Sequence, residues 1–132
     1  MYRLILVDSA GDTFSKMLPA LQEDKRVLLC QADSGIAAFD ALSRGAWDLA
    51  LSDEQLTDMT GLEFARRLVA RYPLVNCALV SSMADTEFHE ATEGLGIIAK
   101  LPPDPDQDHA GELLQKLESI LRLQGGPPVT LS

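Results

Sequence analysis

Positive charge is the first thing this chain has little of: 11 Lys and Arg and 2 His stand against 20 Asp and Glu, for a formal net charge of -9. A field of that sign repels phosphate backbones and anionic lipid, so direct nucleic-acid contact and a charged membrane surface are not the expected partners. Long hydrophobic runs are also missing. The run Leu4–Val7 falls far short of the roughly 20 residues a spanning helix needs, and no basic stretch leads into an apolar segment as in a leader peptide. A cytoplasmic protein with no membrane partner is the expectation. The 2 cysteines, Cys30 and Cys77, lie in strand-like runs without metal-ligand spacing, which leaves no disulfide framework and points to buried, reduced thiols. A glycine-rich phosphate loop is absent too: the segment DSAGD, residues 8–12, supplies one glycine only, which argues against a nucleotide or flavin site.

What is present is a core. Of the 132 residues, 46% are hydrophobic, enough for one compact domain. Arg3 to Val7 reads as a strand, and Phe14, Met17, Leu18 and Leu21 then recur at helical spacing. Pro19 interrupts that helix and predicts a kink or a late start. Val27 to Ala32 reads as a second strand, followed by a helix that Ser34 caps and Gly45 ends. The segment DLALS is a third strand, and Thr60 caps a helix whose apolar face carries Leu62, Ala65, Leu68, Val69 and Tyr72 before Pro73. CALVS is a fourth strand, Asp85 opens a helix with Phe88, Ala91, Thr92 and Leu95 inward, and GIIAK is a short fifth strand. Leu113, Leu114, Leu117, Ile120 and Leu121 make the stripe of a last helix.

Strands without polar alternation, interleaved with helices, predict an α/β fold: a doubly wound five-stranded parallel sheet. Such folds carry their chemistry at the carboxyl ends of the strands, beside the point where strand order reverses. Asp8 and Ser9 end the first predicted strand, Asp53 the third, Ser81 and Ser82 the fourth and Lys100 the fifth. A carboxylate pair, hydroxyls and an ammonium are therefore expected to converge on one crevice.

Over residues 3 to 123 these segments together resemble the receiver domain of two-component response regulators. LILVDS resembles its first strand and acidic pair, DLALSDEQLTDMTGLEFARRL the stretch around its phosphoacceptor, ALVSSMADTE the strand ending in a switch hydroxyl, and IIAKLP the strand ending in a lysine. The resemblance implies a flavodoxin-like receiver fold with strand order 2-1-3-4-5, a domain over 1–123, and a signalling role rather than a classical enzyme activity. It implies Asp53 as phosphoacceptor, Lys100 and Ser81 as groups that hold the phosphoryl, and a magnesium ion on Asp8, Asp53 and the Gln55 backbone carbonyl. The implied partners are a sensor histidine kinase or phosphotransfer protein, an output domain or effector, and a second copy through the face of the fourth helix, fifth strand and fifth helix. On that face Glu87, His89, Glu90 and Glu93 would meet Lys116 and Arg122.

The chain departs from the family pattern at four places. Ser9 replaces the second acid of the pair, so magnesium binding is expected to be weak, because the hard cation prefers charged oxygen. Glu54 and Asp58 are the acids that could substitute. Ile97 stands where the family has a switch aromatic, Leu101 separates Lys100 from Pro102, and Thr57 replaces a proline after the phosphoacceptor. These changes keep open a second reading, a receiver-like interaction module that works without phosphorylation. His89 is expected on a solvated face, His109 in the first turn of the last helix and Trp47 at the rim of the core. The uncharged segment 124–132 reads as a linker or tail.

Overall fold

The computed structural model describes residues 1–123; the expected linker or tail, 124–132, lies outside the described residues. Strand and helix alternate: β1 (Tyr2–Val7), α1 (Leu18–Glu23), β2 (Val27–Ala32), α2 (Gly35–Leu42), β3 (Leu49–Ser52), α3 (Gly61–Arg71), β4 (Asn76–Val80), α4 (Asp85–Ala91), β5 (Ile97–Leu101) and α5 (Gln107–Leu123). Every pairing is parallel, as the sequence predicts, and the sheet order is β2-β1-β3-β4-β5, as the resemblance implies.

Both faces of the sheet are buried, which explains the uninterrupted apolar strands. On one face Leu4, Leu6, Leu49 and Leu51 pack with Leu21 of α1 and Leu113, Leu114 and Leu117 of α5. On the other, Ile5, Val7, Ala50 and Leu79 pack with Phe39 of α2, Phe64 and Leu68 of α3 and Phe88 of α4. The Ser34 hydroxyl accepts from the Ala37 N–H and caps α2, and the Thr60 hydroxyl accepts from the Glu63 N–H and caps α3. Trp47 donates its ring N–H to the Ala41 carbonyl at the rim of the second cluster. His109 sits in the first turn of α5, where its N–H donates to Asp106 Oδ1 and its ring Nδ1 accepts from the Asp106 N–H, a reciprocal cap.

Two local irregularities shape the site. Pro19 falls in the first turn of α1, where a missing N–H costs least, so the helix starts late at Leu18. Phe14 and Met17 are still buried in the core, but from turns that precede the helix. In β5, Cys77 pairs with Ile97 and Ala78 with Ala99, so Ile98 is an extra residue and the strand is bulged. Ile98 and Ala99 consequently pack toward the same cluster. Beyond the bulge Lys100 pairs with Leu79 and Leu101 with Val80.

The cysteines differ in environment. Cys77 on the central β4 is 3% exposed, and burial pushes its thiol up to about 12. Cys30 lies half-buried on the edge strand β2. Ellman's reagent is therefore expected to label only Cys30 in the folded protein and both thiols after denaturation. Rapid native labelling of Cys77 would contradict the packing of β4.

Candidate functional site

The strand order reverses between β1 and β3, and the first residues past these two strands are Asp8 and Asp53. The backbone holds both in place: the Asp8 N–H donates to the Ala32 carbonyl and the Asp53 N–H to the Val7 carbonyl. The loop after β1 folds back over Asp8, whose Oδ1 accepts from the Ala10 N–H at 3.0 Å and whose Oδ2 accepts from the Thr13 N–H at 2.8 Å. Gly11 makes that return possible with a positive φ of 87°.

Asp53 is half-buried. Its Oδ1 accepts from the Glu54 N–H at 2.7 Å, and its Oδ2 accepts from the Thr13 hydroxyl at 2.8 Å. Thr13 thus touches both carboxylates, one through its backbone and one through its side chain. No residue pattern in the sequence singles it out. The usable signal is Pro19: a delayed helix leaves residues 9–17 free to loop over the strand ends.

Ser9, in the second position of the expected acidic pair, is turned to structural work. Its hydroxyl donates to the Asp33 carbonyl at 2.6 Å and accepts from the Thr57 N–H at 2.9 Å, which clasps the loops after β1, β2 and β3 together. The two acids that could have substituted for it are spent elsewhere. Glu54 accepts from the Ser82 N–H at 2.6 Å and from its hydroxyl at 2.9 Å, tying β3 to β4. Asp58 accepts from the N–H groups of Gly35 and Ile36, both at 2.9 Å, and so caps α2 from across the loop. Desolvation works against the charged form of Asp58, but these donors outweigh it and hold the carboxyl below its ordinary range.

The remaining expected site residues are placed as follows. Gln55 pairs with Thr60 in a single antiparallel bridge, closed by Leu56 N–H to Met59 carbonyl and Gly61 N–H to Glu54 carbonyl; among the described backbone hydrogen bonds the Gln55 carbonyl accepts none. Ser81 is the first residue past β4 and is 5% exposed; its hydroxyl accepts from the Met83 N–H at 3.1 Å. Lys100 lies inside β5, and its Nζ donates to Asp85 Oδ1, at the start of α4, at 2.9 Å. That hydrogen bond and the Lys100 charge hold the Asp85 carboxyl below its usual range. The bulge accounts for this direction. In an even register Lys100 would lie beside Val80, on the α1 and α5 side; the extra Ile98 turns it to the α4 side beside Leu79. The structure therefore joins Asp8 and Asp53 directly through Thr13, while Ser81 and Lys100 have their hydrogen bonds elsewhere.

No group of three or more His, Cys, Asp or Glu suited to a metal occurs among the described residues. The fit to magnesium rests on the two carboxylates at the reversal point, which meets the minimum for an ion that otherwise keeps its waters.

Comparison with known proteins agrees with the fold. No protein-family model matches the chain. The signal receiver domain of an HD domain-containing protein from Pseudomonas fluorescens Pf-5 superposes with a TM-score of 0.80 at 23% identity, covering 96% of this chain and 93% of that one. Chemotaxis response regulator CheY4 of Vibrio cholerae gives 0.77 at 19% identity, over 89% and 98% of the two chains. A response regulator from Thermotoga maritima gives 0.77 at 23%, over 90% and 98%. In sequence, 42 residues, 32% of this chain, are 50% identical to the aerobic respiration control sensor protein ArcB of Escherichia coli K12, of which they span 5%. The fold is that of response regulator receiver domains. No described helix is long and apolar enough to cross a membrane.

Proposed function

We propose that this chain is a phosphoaccepting receiver domain, a cytoplasmic signalling module rather than a classical enzyme, that takes a phosphoryl group onto Asp53 and switches a partner or output domain. The observation that carries the reading is the juxtaposition of Asp53 with Asp8, both half-buried, at the reversal of strand order. One oxygen of Asp53 attacks phosphorus in line with the leaving group, a histidine nitrogen of a sensor kinase or phosphotransfer protein or the acyl oxygen of a small donor. The bond to that group breaks as the aspartyl phosphate forms. A bound magnesium ion would supply charge neutralisation there, held by Asp8, Asp53 and the Gln55 carbonyl, and weakly because Ser9 is not an acid. Ser81 accepts from the Met83 N–H and keeps its own O–H free to donate to the phosphoryl, while Lys100 would reach it by leaving Asp85. A second copy pairing through α4, β5 and α5 is part of the same reading.

The test is intact-mass measurement after exposure to acetyl phosphate across a magnesium series. The Lys100 step has its own check. Asp85 is 83% exposed on its side chain, and such surface pairs are weak, so Asp85→Asn is expected to release Lys100 and speed phosphorylation by about two- to fivefold. Lys100→Ala should slow it; no change in either variant would remove Lys100 from the site.

A second reading has an observation of its own. Thr13 on Asp53, Ser9 on Asp33 and Thr57, and Lys100 on Asp85 leave the expected actors paired within the protein. That arrangement suits a module that binds its partner without phosphorylation. Such a module keeps its partner affinity in Asp53→Ala and gains no mass under any of these conditions.

A further inference from the structure

Among the described residues, Thr13 alone hydrogen-bonds to both carboxylates of the site. Its N–H reaches Asp8 Oδ2 and its hydroxyl reaches Asp53 Oδ2, each at 2.8 Å, so the ends of β1 and β3 are tied through a single half-buried residue. Neighbouring carboxylates repel one another unless a cation, a proton or a shared donor lies between them. Here the shared donor is internal and neutral, and it is held there by the turn at Gly11 and the late start of α1.

We infer that Thr13 is a latch on the site: its hydroxyl competes with a divalent cation, and with an incoming phosphoryl group, for Asp53 Oδ2. Thr13 is thus a positioning residue that sets metal affinity jointly with the missing acid at Ser9. The competition with a cation stands on the geometry alone; what the latch regulates rests on the phosphoacceptor reading. Opening it requires only that the hydroxyl rotate away, since the Thr13 N–H to Asp8 can stay in place. The closed form is the resting one, in which each oxygen of Asp53 accepts one hydrogen bond, Oδ2 from Thr13 and Oδ1 from the Glu54 N–H.

The experiment uses ¹⁵N-labelled protein titrated with magnesium chloride alone, following the amide resonances of Asp53 and Glu54 in the wild type, Thr13→Val and Thr13→Ser. Valine keeps the shape and the backbone donor but has no hydroxyl. It is expected to bind magnesium about three- to tenfold tighter, the scale of one net hydrogen bond. Serine keeps the hydroxyl and should match the wild type. If valine loses the fold, Thr13→Ala gives the same comparison. Unchanged or weaker binding in the folded valine or alanine variant overturns the latch, as does a serine variant that shifts as far as valine, or the absence of any magnesium response in all variants. Acetyl phosphate with Ser9→Asp separates the two claims. If that variant acquires a phosphoryl group while valine leaves magnesium affinity unchanged, the latch falls and the phosphoacceptor stands. If valine tightens binding but no variant is ever phosphorylated, the latch stands as a cation gate and the phosphoacceptor falls.

Discussion

Ser9→Asp is expected to accelerate phosphorylation by acetyl phosphate about 10- to 100-fold at low magnesium, the range over which changes around a metal's ligands move its affinity, while Asp53→Ala abolishes it. The wild type should phosphorylate slowly and be rescued by high magnesium, because Asp8 and Asp53 remain and an ion with only two carboxylates binds weakly. The substitution has a structural cost. The Ser9 hydroxyl both donates to the Asp33 carbonyl and accepts from the Thr57 N–H. A carboxylate can still accept from Thr57 but cannot donate to Asp33, so about 1 kcal/mol of stability should be lost with that bond. A gain in rate alongside a lower melting temperature would be the signature of a position moved from structural clasp to metal ligand. Intact mass across a magnesium series measures the first quantity and thermal unfolding the second. Persistent absence of a phosphoryl group in Ser9→Asp at saturating magnesium would end the phosphoacceptor reading and leave the interaction module.

The contrast between what the sequence predicts and what the structure places has a physical pattern. The two buried faces and the helix caps at Ser34 and Thr60 were legible because each follows from short-range periodicity or from one side chain meeting a nearby backbone group, whereas the strand order came with the family resemblance. The late start of α1 was legible because proline has no N–H to give. The nearness of Asp8 and Asp53 was legible because a parallel sheet delivers the residues after its strands to one edge. Three other features depend on contacts between distant segments. The hydroxyl of Thr13 meets Asp53 across 40 positions, and Asp58 reaches the start of α2 across 23. The β5 bulge inserts Ile98 with no glycine or proline inside the strand to announce it, and it alone redirects Lys100 toward Asp85. Side-chain direction in a strand changes with every residue, so one bulge is enough to change the face from which a strand lysine emerges.

Gly61→Ala is expected to be the most damaging small substitution near the site. A methyl built there would overlap the Asp53 carbonyl oxygen, with the Asp53 carbonyl carbon and Glu54 Cα at the contact distances of 3.4 and 3.5 Å behind it. None of these atoms can yield easily. The Asp53 carbonyl accepts from the buried Ser52 hydroxyl at 2.9 Å, the Asp53 N–H is fixed to Val7, and the Gly61 N–H itself donates to the Glu54 carbonyl. Relief must come from moving the start of α3 away from the end of β3, which costs about 1–3 kcal/mol and shifts Asp53. Gly35→Ala provides the control. Its added methyl meets the thioether and side-chain carbons of Met59, a flexible side chain that can swing aside, so that variant should stay within roughly 1 kcal/mol of the wild type. Denaturant unfolding of the two variants measures the difference, and equal midpoints would mean that the β3–α3 junction is not rigid. With the junction rigid, Gly61→Ala should also lose phosphorylation under conditions where Gly35→Ala retains it, because only the first displaces the backbone that carries Asp53.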